Sequence, residues 1–223
     1  MNTGDEGLRC AAVNLAHFSD LHGNLDPLDD VAWPVDAWVS TGDFFPDPPW
    51  ARLSGGGRFQ RAWFAENANR LRARFGTTPV AVVDGNHDFA PLADLLRTIG
   101  VNVHAITLRG FDLLGHRWAG FRHIPAMGGH WPCEAPDAML DTLARTALGS
   151  GADVLCVHAP PASMLSGPYG NRPLYDRLAA GGHNVGTVLC GHVHEHAGQS
   201  ETRHLGRPVT VHNGALGVQL VRL

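Results

Sequence analysis

Val82-Val83-Asp84-Gly85-Asn86-His87-Asp88 closes an apolar run that starts at Val80. The run reads as a buried strand. It stops at a glycine turn, then presents an amide, an imidazole and a carboxylate in succession. A strand that ends this way delivers polar groups to one rim of a sheet, where α/β proteins keep their chemistry. An Asn beside a His suits a metal ligand next to an acid/base group. The tetrapeptide gains weight only if other strands end in the same manner.

Four other apolar runs do. Residues 11–19 end in Ser19-Asp20-Leu21-His22-Gly23-Asn24, and residues 37–40 end in Thr41-Gly42-Asp43. Residues 152–157 run into His158-Ala159-Pro160-Pro161, and residues 185–190 into Gly191-His192-Val193-His194. Between them, residues 58–75 have helical spacing and stop at Gly76, as at a C-cap. Residues 91–99, 136–148 and 172–180 read as shorter helices. Residues 101–106 read as a strand, and residues 111–121 as a hairpin around Gly115-His116. Residues 123–136 look irregular. The Pro-rich aromatic segment from Phe44 to Trp50 leads into Ser54-Gly55-Gly56-Gly57, which reads as a hinge or loop. Residues 202–223 look like antiparallel strands closing a sheet. With no repeat and no linker, residues 1–223 read as one α/β domain with a mixed sheet.

Composition narrows the function. Hydrophobic residues make up 44% and charged residues 17%, which is enough apolar matter for a core without staples. The formal net charge is −4, so no basic field holds an extended nucleic acid. All 17 basic residues are arginine, which excludes Schiff-base chemistry and a Walker-type phosphate loop. Cys10, Cys133, Cys156 and Cys190 form no C-x-x-C pair, and the last two sit in strand-like runs as buried free thiols. The N-terminal residues lack the form of a signal peptide, and no run approaches the length that spans a bilayer. A cytoplasmic protein with no membrane partner is the expectation. Oligomeric state has no signature in the chain. The anomaly is 14 histidines, several directly after strands.

The five strand ends are expected to converge on the rim of one parallel-type sheet. They supply imidazoles, carboxylates and an amide, with no thiolate, which argues against a structural cysteine–zinc site. Residues two apart, as in Asp20-x-His22 and His192-x-His194, can both reach forward from a turn. Asp43 stands alone between these sets and can bridge two ions. Two divalent ions about 3.5–4 Å apart suit phosphoester hydrolysis, holding a water whose pKa falls toward about 7.

Asp20-x-His22, Gly42-Asp43, Gly85-Asn86-His87-Asp88, His158 and Gly191-His192-x-His194, in that order, resemble the calcineurin-like metallophosphoesterase superfamily, closest to its small single-domain members. The resemblance implies a four-layer αββα sandwich, two mixed β-sheets flanked by helices. It implies a first metal on Asp20, His22, Asp43 and His194, and a second on Asp43, Asn86, His158 and His192. The metals would be Mn, Fe or Zn, and a metal-bridging hydroxide would be the nucleophile. His87 would stay off the metals and act at the leaving oxygen. The protein phosphatase branch places Asp and Arg soon after Gly-Asp; here the text is Gly42-Asp43-Phe44-Phe45-Pro46-Asp47, without Arg.

The reading is therefore a hydrolase of small phosphodiesters, cyclic nucleotides among them. A phosphomonoesterase or protein phosphatase on the same site is the alternative within this chemistry. A metal-bearing scaffold that binds a partner and turns over little is the alternative outside it. Arg122, His123 and His196 are candidates for substrate contact, as is His130. Phe44, Phe45 and Trp50 are candidates for the core or for a stacking wall. Asp88 and Asp47 are both candidates to orient His87. Asn24 and Asn213 are turn formers or supports for the metal site. His17 reads as a packed residue behind it.

Overall fold

The computed structural model describes residues 12–48, 55–129 and 131–223. Cys10, Trp50 and His130 lie outside them. Among the described residues, thirteen strands and five α-helices follow in chain order: β1 (Asn14–Ser19), α1 (Asp26–Asp29), β2 (Ala37–Ser40), α2 (Gly56–Phe75), β3 (Val80–Val82), α3 (Leu92–Thr98), β4 (Val103–Ala105), β5 (Phe111–Leu113), β6 (His116–Phe121), β7 (Ile124–Pro125), β8 (Glu134–Ala135), α4 (Asp137–Gly149), β9 (Val154–Val157), α5 (Arg172–Ala179), β10 (Thr187–Cys190), β11 (Ser200–His204), β12 (Pro208–Asn213) and β13 (Gly217–Arg222).

The strands form two large mixed sheets, in the orders β13-β1-β2-β3-β4 and β11-β12-β10-β9-β6-β5. Pairing is parallel except at β13, β11 and β5. Period-2 alternation places the layers. Leu15, Val39, Ala81, Cys156 and Leu189 share one apolar cluster with Trp118 between the sheets. Their strand neighbours Ala16, Trp38 and Val80 face outward toward Phe64, Leu71 and Leu96 of α2 and α3. Leu155 and Val188 face the opposite way, toward Leu140 and Ala144 of α4 and Leu174 of α5. Strands covered on both faces have no polar face, so they read as continuous apolar runs. The four-layer α/β sandwich is the observed architecture. The hairpin at residues 111–121 is present, with β5 antiparallel to β6.

Three expectations change. The ligand-bearing strands do not share one sheet. β1, β2 and β3 belong to the first, and β9 and β10 to the second, so the site lies where two rims meet. The C-terminal strands split as well: β12 runs parallel to β10, while β13 crosses to pair antiparallel with β1. Gly56 and Gly57 belong to the first turn of α2 rather than to a hinge. A Cβ at Gly56 would meet the Phe89 ring at 2.9 Å, and one at Gly57 would meet the Phe89 carbonyl at 3.0 Å. The glycines let α2 seat against the segment that follows His87. No helix among the described residues is long and apolar enough to cross a membrane.

Candidate metal centre

Asp20, His22, Asp43 and His192 all have positive φ, at 54°, 44°, 52° and 68°. Left-handed backbone is unfavourable for such residues by about 1–3 kcal/mol each and persists where the surroundings over-determine it. Here it lets each chain turn back directly after its strand and project its side chain over the rim. The turns are tied together by backbone bonds, Asp20 N–H to Gly42 O at 2.9 Å and His22 N–H to Asp43 O at 3.0 Å.

Glycines permit the close approach. A Cβ on Gly42 would stand 2.5 Å from Gly85 N and 2.7 Å from His158 Nδ1. One on Gly85 would overlap the Asp43 carboxylate, and one on Gly191 would overlap Ser19 Oγ and the Asp20 carboxylate. Gly85 is absent from the positive-φ glycines, so it serves to make room for Asp43 rather than to turn the chain.

Asp88 holds the turn that carries Asn86 and His87. Its buried carboxylate accepts the N–H groups of Gly85 (2.7 Å), Asp43 (2.8 Å), Phe44 (2.9 Å) and Phe45 (3.2 Å). Burial and then the charges of Asp43 and Asp84 raise its pKa to about 7, against the pull of these donors. Asp88→Asn keeps one acceptor oxygen and removes the other, leaving two buried N–H groups without an acceptor. A loss of about 3 kcal/mol follows, roughly 6–12 °C in Tm for a chain of this size. A thermal melt checks it, and a change under about 2 °C would count against this role.

The second sheet is pinned to the first across the site. His158 Nδ1 bonds Thr41 O at 2.7 Å, and the His192 N–H donates to Asp20 Oδ2 at 2.8 Å. Arg122, at the end of β6, donates to the carbonyls of Gly85 and Asp88, both at 3.1 Å. Gln60 of α2, fully buried, donates to His87 O at 2.7 Å and accepts the N–H groups of Phe89 and Ala90. Asn213 donates to Val193 O at 2.9 Å, between the two histidines of that turn. His17 is buried under the site and meets Thr41 Oγ1 at 2.9 Å. Asn24 is a turn former, accepting the Asp26 N–H at 3.1 Å.

Three groups have potential ligand atoms within 4.8 Å of one another: Asp20 with His22 and His194, Asp43 with His158 and His192, and His22 with Asp47 and His87. Asn86 joins the second, its Oδ1 lying 3.0 Å from His158 Nε2. Asp43 Oδ2 lies 3.1 Å from the same nitrogen, while Asp43 Oδ1 accepts the His87 N–H at 2.7 Å. Burial alone would lower the His158 pKa, but Asp43 and then Asp20 raise it to about 9. Two oxygens converging on one nitrogen thus call for a positive centre. His22 Nδ1 and His192 Nε2 are buried without a hydrogen-bond partner. Burial lowers the pKa of both, that of His192 to about 4 with help from the His158 charge, so both stay neutral. Neutral imidazoles with unpartnered nitrogens beside buried carboxylates fit divalent cations.

His87 is held from several sides. Its Nδ1 meets Asp47 Oδ1 at 2.6 Å, and its ring lies 4.0 Å from that of Trp131, centroid to centroid. Asp47, not Asp88, is the carboxylate beside the ring. Burial works to lower the His87 pKa, but Asp47 and Asp43 raise it.

The groups open onto a cleft of about 310 Å³ lined by Asp20, Asp43, Asn86, His87, His192, His194, Glu195, Met127, Trp131 and Tyr169. Among the described residues, the substrate-contact candidates Arg122, His123 and His196 lie elsewhere. Arg122 has its guanidinium on the carbonyls behind the Asn86-His87 turn, and with His123 it lines a separate, largely apolar cavity of about 320 Å³. His196 lines a third, with Arg172 and Glu201. Phe44 and Phe45 are fully buried in the core and form no wall. The cleft residues outside the motifs are Met127, Trp131, Tyr169 and Glu195. The one sequence signal of Met127, Trp131 and Tyr169 is large apolar side chains in Gly- and Pro-rich loops, while Glu195 directly follows His194.

Stacked mixed sheets whose strand ends gather buried Asp and His side chains into a cleft offer a site for divalent ions, as a metal-dependent phosphoester hydrolase requires. The family model described as Calcineurin-like phosphoesterase matches residues 13–196, and the chain belongs to that family. A comparison with curated proteins gives no significant match.

Proposed function

We propose that the protein hydrolyses small phosphodiesters at a centre of two divalent ions. Asp20, His22 and His194 would hold one ion, Asn86, His158 and His192 the other, and Asp43 both. Manganese, iron and zinc all suit this set of imidazole, carboxylate and amide donors. When bound, such a pair activates water near neutral pH and offsets charge on the non-bridging phosphate oxygens. The chain's own groups supply the rest. Thr41 O and Asp20, from the first sheet, hold the histidine-bearing turns of the second: Thr41 O meets His158 Nδ1, and Asp20 accepts the His192 N–H and meets His194 Nε2. Asp47 holds His87 Nδ1, which leaves Nε2 to protonate the departing oxygen.

The charge of the cleft supports diesters over monoesters. Among its described residues there is no arginine, and the only charged side chain outside the donor set and His87 is Glu195, an anion. Among the described residues a monoester dianion meets no further cation there, whereas the second ester group of a diester meets Tyr169. One uncompensated charge beside Glu195 is worth on the order of 1 kcal/mol or more, about tenfold in rate. With Mn²⁺ added, kcat/KM for bis-p-nitrophenyl phosphate is expected to exceed that for p-nitrophenyl phosphate by about that factor, and chelator should abolish both. A reversed preference would favour the monoesterase reading. No turnover with any divalent ion would remove the proposal.

A further inference from the structure

The cleft beyond the donor groups is walled by two loops, and both are built rather than loose. Met127 and Trp131 lie between β7 and β8. The Glu134 carboxylate closes this loop by accepting the N–H groups of Met127 (2.6 Å), Gly129 (2.7 Å) and Trp131 (2.9 Å). Trp131 is thus placed before substrate arrives, with its ring inclined 36° to that of His87. Tyr169 ends the 3₁₀ turn Gly167–Tyr169 ahead of α5. That loop is pinched at its base by Asn171 N–H to Pro160 O at 2.8 Å and Ala162 N–H to Asn171 O at 3.0 Å. Asn171 is itself fully buried and caps α5 through the Leu174 N–H. The Tyr169 ring stands edge-on to His192, with centroids 6.3 Å apart.

Tyr169 and Met127 are both 42% exposed, among the few large apolar side chains left out of the core, and both stand on this one cleft. Apolar surface kept open beside polar chemistry marks a binding face. Trp131 lies against His87, on the side where the alcohol departs. Tyr169 lies against His192, where the retained ester group would rest.

Resting on the phosphodiesterase reading, we infer that Trp131 and Tyr169 are specificity-determining residues that select diesters bearing flat aromatic groups. Trp131 takes the alcohol that leaves and Tyr169 the ester group that stays. Stacking of this kind is sequence-tolerant and needs no hydrogen-bond code, so any planar ring suffices.

Bis-p-nitrophenyl phosphate and methyl p-nitrophenyl phosphate release the same phenolate, so the ratio of their kcat/KM values, each divided by its uncatalysed rate, reports the second group alone. In the metal-loaded protein the ratio is expected to favour the bis-aryl ester by about tenfold. Tyr169→Ala should bring it close to one, and Tyr169→Phe should keep it. Trp131→Ala should lower both rates by about tenfold and leave the ratio in place. A readout without turnover is calorimetric binding of diphenyl phosphate against dimethyl phosphate. The preference for the aryl ligand should shrink in both alanine variants. Turnover of both diesters with a ratio indifferent to Tyr169→Ala would overturn the aromatic assignment and leave the phosphodiesterase reading standing. No turnover of either diester would remove that reading and this inference with it.

Discussion

Asp43→Asn is expected to strip the protein of bound metal and to lower kcat/KM for bis-p-nitrophenyl phosphate by about 10³-fold, near 4 kcal/mol of transition-state stabilisation. The argument runs through both oxygens. Oδ1 accepts the His87 N–H at 2.7 Å and Oδ2 lies 3.1 Å from His158 Nε2. Burial disfavours the charge, yet the His158 imidazolium beside it holds the Asp43 carboxyl well below the usual carboxylate range. An amide in its place must turn an N–H₂ group toward one of two donors. It also removes the negative charge that two cations would share. Metal analysis of wild type and variant, with melts in the presence and absence of chelator, separates the effects. Wild type should lose stability on chelation, because a ligand bound only to the folded state stabilises it. The variant should melt at one temperature in both conditions. Undiminished metal content or activity in Asp43→Asn would sink the proposed centre.

The alternation of apolar strand and polar strand end was legible in the sequence because strands buried on both faces carry few internal polar residues, His17 of β1 being one, to blur their limits. β2 spans the residues expected of it. The grouping of Asp20 with His22 and His194, and of Asp43 with His158 and His192, also follows the sequence reading. Misreadings arose where a residue's role is set by a distant partner. The glycines at 56 and 57 look like flexible chain until the Phe89 ring and carbonyl are in place against them. Gly85 looks like a turn residue until the Asp43 carboxylate occupies the space of its missing side chain. Arg122 looks like a phosphate ligand beside a histidine, but the backbone carbonyls of Gly85 and Asp88 come from the other sheet to meet it. Glu134 gave no local signal at all, since a carboxylate closing a loop on N–H groups has no side-chain pattern to read.

His87→Ala should separate an enzyme from a metal-bearing scaffold. With Nδ1 held at 2.6 Å by Asp47 and Trp131 against the ring, His87 can offer only Nε2 to the cleft. Its burial opposes the charged form, but the bond to Asp47 and the charge of Asp43 outweigh it, so the proton stays available. General-acid assistance contributes about 10²–10⁴ in rate, and the need for it grows as the leaving alcohol becomes more basic. The loss in kcat should therefore be about 10² with a p-nitrophenolate leaving group and approach 10⁴ with an unactivated phenol. Asp47→Asn, which keeps the shape but not the charge, should show the same trend at about a tenth of the size. Metal content should be unchanged in both variants. A drop in bound metal would instead assign His87 to the group it forms with His22 and Asp47. An equal loss for good and poor leaving groups would make it an electrostatic contact rather than a proton donor. Full activity in His87→Ala would leave no catalytic role for the one imidazole outside the proposed ligand sets among the cleft's described residues, whereas a variant without turnover that kept its biological effect would revive the scaffold reading.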